Sequence, residues 1–140
     1  MPRHTIELAV KAVEMVGKDI KNSRIVVLGS AYKGEVSDAR DSPSKQIVHA
    51  LLNLGADVVV YDPYCEETFG AKKAKGLLEA VSEADCLVIA TDHQMFRQLE
   101  LGKIKRLINE NAIIVDGRRV VNPREAKKHG FRYLGIGYQG

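Results

Sequence analysis

Residues 25–43 read I-V-V-L-G-S-A-Y-K-G-E-V-S-D-A-R-D-S-P. The run from Ile25 to Leu28, closed by Gly29, has the near-continuous apolar, β-branched character of a strand buried on both faces. The thirteen residues from Ser30 to Ser42 are polar and glycine-containing, and so long a loop inside a compact domain is usually functional. Ser42 suits a helix N-cap and Pro43 the first helical position. Ile47, Leu51 and Leu54 then line one apolar face until Gly55. Strand, loop and helix in this order make a βα unit.

Toward the C-terminus the unit recurs. Asp57 to Pro63 reads as a second buried strand, Leu77, Leu78 and Val81 mark a short helix, and Cys86 to Ala90 reads as a third strand. Helical spacing runs from Phe96 through Ile108. Ala112 to Arg118 is a fourth strand, Pro123 to His129 a helix, and Phe131 to Gly137 a fifth strand or an extended tail. The run K-K-A-K-G at residues 72–76 reads as a solvated surface stretch. Toward the N-terminus, Ile6, Ala9, Val10, Val13 and Val16 give one extra amphipathic helix that Gly17 stops, and the polar segment Lys18 to Ser23 ties it to the rest. Apolar strands alternating with helices imply a Rossmann-like α/β fold: a doubly wound, parallel, five-stranded sheet with helices on both faces, preceded by one helix.

The whole is 140 residues, one domain's worth of chain and too little for a dinucleotide domain plus a substrate domain. A formal charge of +3 gives no reason to expect a nucleic-acid partner. No apolar run approaches the ~18 residues of a membrane span, so a soluble, cytoplasmic protein without a membrane partner is expected. Cys65 and Cys86 form no C-x-x-C pair, and His4, His49 and His129 share no ligand spacing, so no metal site is expected.

For a strand order 3-2-1-4-5, the loops facing each other at the reversal point are Ser30 to Asp41 and Asp116 to Val120. They bring Lys33 and Arg40 opposite Arg118 and Arg119. A basic cluster there suits a nucleotide or diphosphate, whose oxygens arginine forks bind in pairs; solvated loop charge is the other reading. A nicotinamide dinucleotide calls for G-x-G-x-x-G after the first strand, but this chain has G-S-A-Y-K-G, with only Gly29 in register. Asp62 imitates the ribose-binding acid, yet an Asp before Pro63 is also ordinary turn chemistry. Cys65 and Cys86 read as structural. Asp92 and His93 follow the third strand on the ligand side, where His93 is either a crevice residue or a hydrogen-bonded loop histidine.

The blocks VLGSAYKGEVSDARDSP (27–43), GADVVVYDP (55–63), ATDH (90–93) and IIVDGRRV (113–120), in that order, closely resemble the C-terminal, UDP-binding domain of the UDP-glucose/GDP-mannose dehydrogenase family. The ending GFRYLGIG is most similar to its UDP-N-acetyl-D-mannosamine members, with UDP-glucose 6-dehydrogenase as the alternative. The resemblance implies an enzyme that oxidises a UDP-sugar's C6 alcohol to a carboxylate with two NAD, through a cysteine thiohemiacetal and thioester. It implies an N-terminal NAD-binding domain and a dimerising central helix elsewhere, hence a homo-oligomer. Residues 1–20 would end the inter-domain helix, and residues 21–140 would form the UDP-binding domain. Tyr32, Lys33 and Arg118 match substrate contacts and Arg40 a residue reaching NAD, while Glu35 and Ser37 depart from the family's usual loop. The nucleophile's motif has no counterpart here, so the chain alone is expected to be inactive. A stand-alone, non-catalytic nucleotide-binding module is the reading of another class.

Overall fold

The computed structural model describes residues 2–31 and 42–136. The elements are α1 (Pro2–Met15), a 3-10 turn (Ile20–Asn22), β1 (Arg24–Leu28), α2 (Pro43–Asn53), β2 (Asp57–Tyr61), β3 (Lys72–Lys73) and α3 (Leu77–Val81). They continue with β4 (Cys86–Ile89), α4 (Gln94–Arg97), α5 (Leu101–Leu107), β5 (Ile113–Asp116), α6 (Pro123–Lys128) and β6 (Arg132–Gly135). All strand pairs are parallel, in the order β3-β2-β1-β4-β5-β6.

Alternation along the strands builds two cores. Ile25 and Val27, with Val58, Val60, Val88, Ile113 and Val115, face α1 and α2, where Ala9, Val13, Ile47 and Leu51 cover them. Val26, Leu28, Val59, Leu87, Ile89 and Ile114 face the other way, against Ala80, Phe96, Leu101, Ile104 and Ala126. Burial on both faces is why the strands carry no polar alternation. The start of α2 follows its sequence signal: Ser42 Oγ accepts from the Ser44 amide at 3.2 Å, and Pro43 opens the helix. Asn122 caps α6 in the same way, accepting from the Arg124 amide at 2.8 Å.

Three expectations need correction or completion. The sheet has six strands, not five, because Lys72–Lys73 pairs with Val59 and Val60. Two exposed lysines carry no strand signature; Lys72 Nζ instead meets Asp57 Oδ1 of β2 at 2.9 Å. Counting them shifts the numbering, so the strand beside β1 at the reversal is Cys86–Ile89, and the loop after Asp116 stands one strand further out. The helical stretch from Phe96 to Ile108 is two short helices interrupted at residues 98–100.

The first helix packs its apolar face on this sheet: Ala9, Ala12 and Val13 are buried beside α2 and above β4 and β5. Its far end is tied down by Lys18 Nζ, 2.6 Å from Asp85 Oδ1. Asp85 also accepts from the Arg24 amide and from Asn109 Nδ2. Burial pushes the Asp85 carboxyl up, but these partners outweigh it and hold the group below its ordinary range. Among the described residues, no helix is long and apolar enough to cross a membrane.

Candidate functional site

The chain leaves β1 through Gly29 at φ +107°, a conformation that side chains other than hydrogen rarely adopt. A Cβ there would lie 2.2 Å from Thr91 Oγ1 and 2.3 Å from Thr91 Cβ, so the turns after β1 and β4 touch across the reversal point. Three hydroxyls fix the carbonyls of this turn. Ser44 Oγ donates to that of Gly29 (2.6 Å), and Ser42 Oγ (3.0 Å) and Thr91 Oγ1 (3.3 Å) donate to that of Ala31.

Asp62, just past β2, binds three loops at once. Its Oδ2 accepts from the amides of Ser30 (2.9 Å) and Ala31 (3.0 Å) and lies 2.8 Å from His93 Nε2. Its Oδ1 accepts from the amides of Tyr64 (2.7 Å) and Cys65 (2.9 Å). Burial would raise the carboxyl, but the His93 ring and the amides of Tyr64, Ser30 and Ala31 prevail and hold it below the usual carboxylate range. An ionised Asp62 can only accept, so His93 Nε2 carries the proton. The His93 ring is fully buried, with Tyr64 and Phe96 rings at 4.9 and 5.4 Å. Of its two sequence readings, the hydrogen-bonded loop histidine is the one observed. Asp62 does turn chemistry and more: its oxygens are occupied by protein donors.

The loop after β5 is framed as tightly. Asp116, wholly buried, accepts from the Arg118 amide (3.1 Å), the Val121 amide (2.7 Å) and the Tyr133 hydroxyl (2.8 Å). Burial and the Asp116 carboxylate both push the Tyr133 hydroxyl well above its ordinary range, so it remains a donor. A Cβ on Gly117 would lie 2.8 Å from Thr5 Oγ1 of α1 and 3.0 Å from the Ile89 carbonyl. From this frame Arg118 reaches toward the β4 loop, its Nη2 3.5 Å from Asp92 Oδ2. Arg119, at φ +56°, turns the other way and donates to the Ile136 carbonyl at 2.9 Å. The structure thus separates the two arginines and sends only Arg118 toward the reversal point. Tyr32, Lys33 and Arg40 lie outside the described residues.

The clamp of Asp62 on His93, and the hydroxyls of Ser42, Ser44 and Thr91 on the first turn, escaped the sequence reading. The tetrad A-T-D-H after an apolar strand was the available signal for half of it. Both cysteines are buried, and burial, with the neighbouring Asp85 charge, pushes the Cys86 thiol up to about 12, far from a thiolate at neutral pH. Among the described residues no three His, Cys, Asp or Glu side chains converge on a possible metal position.

The profile of the UDP-glucose/GDP-mannose dehydrogenase family, UDP binding domain, matches residues 26–123. The chain belongs to this family. The match runs from β1 to the start of α6 and includes the Asp62 clamp and the Arg118 loop. Among relatives, the UDP-glucose 6-dehydrogenase of Rhizobium meliloti is 39% identical over 91% of this chain, and the UDP-N-acetyl-D-mannosamine dehydrogenase of Methanococcus maripaludis 32% identical over 98%. This UDP-binding domain spans 30% and 32% of their respective lengths. The crystal structure of the NDP-N-acetyl-D-galactosaminuronic acid dehydrogenase from Methanosarcina mazei Go1 superposes with a TM-score of 0.92 at 36% identity, covering 99% of this chain and 30% of that one.

Proposed function

We propose that the chain is the C-terminal, UDP-binding part of a UDP-sugar 6-dehydrogenase, with Arg118 holding the diphosphate beside Tyr32 and Lys33. The observation that carries this is the presentation of one arginine, its backbone amide held by Asp116 of the Asp116–Tyr133 frame and its side chain aimed at Asp92, toward the crevice at the strand reversal. Ligands of doubly wound sheets bind there, and a guanidinium fork matches phosphate oxygens. Residues 1–20 are the end of an inter-domain helix, here folded back onto the sheet, and residues 21–140 form the binding domain.

The first turn does not fit NAD. The acid at the end of β2 has its oxygens occupied by the amides of Ser30, Ala31, Tyr64 and Cys65 and by His93, leaving nothing for a ribose hydroxyl. Ala31 also replaces the glycine at which a pyrophosphate would approach. NAD is therefore held mainly by the N-terminal domain, with Arg40 reaching toward it, and the chain alone catalyses nothing. The full enzyme is a cytoplasmic homo-oligomer.

UDP-N-acetyl-D-mannosamine is the sugar nucleotide favoured, supported by the F-R-Y-L-G-I-G ending and by the 33% identity and TM-score of 0.85 with the UDP-D-ManNAc dehydrogenase of Pyrococcus horikoshii. UDP-glucose is the second reading, favoured by the 39% identity with the Rhizobium meliloti enzyme. Supplying the N-terminal and central domains and following NADH with each sugar nucleotide separates them. For the site itself, calorimetry with UDP should show Arg118→Ala lowering affinity about ten- to a hundredfold, as expected for a charged hydrogen bond of ~1.5–3 kcal/mol. Unchanged affinity in both Arg118→Ala and Lys33→Ala overturns the assignment.

A further inference from the structure

We propose that Asp92 engages the Arg118 guanidinium before UDP arrives and competes with the diphosphate for it. This deepens the UDP reading of the crevice and rests on it. Both side chains stand on braced loops. The Gly117 amide donates to the Ile89 carbonyl at 2.9 Å and the Arg118 amide to Asp116, which fixes the arginine's backbone. On the other side, Asp92 sits between Thr91, whose hydroxyl donates to Ala31, and His93, which Asp62 clamps. The two side chains meet at 3.5 Å, longer than the ~2.7–2.9 Å of a strong charged hydrogen bond. Arg118 and Asp92 are 33% and 31% exposed, so water reaches both and neither charge depends on the other for burial. Such a contact orients a long side chain yet yields to a better partner. A diphosphate is one: it offers paired oxygens in the plane of the fork and at least two negative charges. Once it is bound, the Asp92 carboxylate faces phosphate of like sign and opposes it. A carboxylate at this place therefore sets a threshold that an uncharged nucleoside cannot cross through Arg118.

The test is a double-mutant cycle on this chain, read by calorimetry with UDP and with uridine. Asp92→Asn should tighten UDP about two- to fivefold, the scale of a half-exposed ion pair, and leave uridine unchanged. Asp92→Glu should restore wild-type affinity, and in an Arg118→Ala background the gain from Asp92→Asn should vanish. Asp92→Ser provides the same readings if the asparagine variant melts early. If Arg118→Ala leaves UDP binding intact, the UDP reading of the crevice itself has failed. If Arg118→Ala weakens UDP but removing the Asp92 charge has no effect, shifts uridine equally, or acts undiminished without Arg118, the competing role alone is overturned.

Discussion

Asp62→Ala is expected to cost about 3–5 kcal/mol of folding stability, the scale of removing a buried carboxylate that five donors share. The substitution strands the amides of Ser30, Ala31, Tyr64 and Cys65 and leaves His93 Nε2–H in a fully buried site without its acceptor. Each orphaned buried donor costs ~1–3 kcal/mol, although amides near a loop surface recover part of this from water. Against a total stability of ~5–15 kcal/mol for a domain of this kind, the loss brings unfolding into low urea. UDP affinity should fall as well, because the Asp62 bonds orient the residues leading into the Lys33 loop. A urea midpoint that implies less than about 1 kcal/mol would show that water replaces the clamp.

The same group sets an acid limit. Asp62 and Asp85 both have carboxyls lowered in the folded state, so the unfolded chain takes up protons first as pH falls. Their stabilisation is complete above the ordinary carboxylate range, near pH 5, and declines as pH drops through about 4 toward the lower folded values. Urea unfolding from pH 7 down to 3 should show that decline in the wild type and a shallower one in Asp62→Ala. Equal slopes would remove Asp62 from the account.

Gly29→Ala should be comparably severe, about 3–5 kcal/mol. Two costs combine: the strain of a non-glycine residue at φ +107°, about 1–3 kcal/mol, and overpacking against Thr91, again about 1–3 kcal/mol. The second can be separated from the first. Because the added Cβ meets Thr91 Cβ at 2.3 Å as well as Oγ1 at 2.2 Å, Thr91→Ala cannot relieve the contact, whereas Thr91→Gly removes both and leaves the tight approach to the Thr91 backbone nitrogen at 3.0 Å. Gly29→Ala combined with Thr91→Gly should thus recover most of the packing share and leave the strain. If the Gly29→Ala midpoint in urea moves by less than about 1 kcal/mol equivalent, the two turns do not touch as described.

Local signals made most of the fold legible. The Ser42–Pro43 cap, the glycine stops and the apolar strands each announce themselves within a few residues, and every one of those elements forms where it was read. The edge strand Lys72–Lys73 did not, because a two-residue strand exposed to water keeps none of the apolar character by which buried strands are recognised. That omission moved the expected neighbour of β1 from Cys86–Ile89 to Ile113–Asp116, which shows how strand order depends on counting even the least conspicuous strand. At the site, the place of Arg118 on the loop after a strand was legible from D-G-R, and the mismatch of the first turn with a dinucleotide from its missing glycines. The Asp62–His93 contact was not, since it joins residues 31 apart that meet only because β2 and β4 flank β1. Pairings of that kind are products of topology rather than of any local pattern.

The lysine-bearing edge also bears on how copies of the domain can meet. A sheet invites extension at an open edge, and β3 is one of its two ends. A second copy adding its own β3 there would bring Lys72 and Lys73 against their duplicates and compete with the Asp57 and Glu66 carboxylates that those amines engage. Like charges directly across a strand pair are unfavourable, so this edge resists continuous edge-to-edge stacking. The two lysines, read from the sequence only as solvated surface, thus guard this edge of the domain against edge-to-edge aggregation.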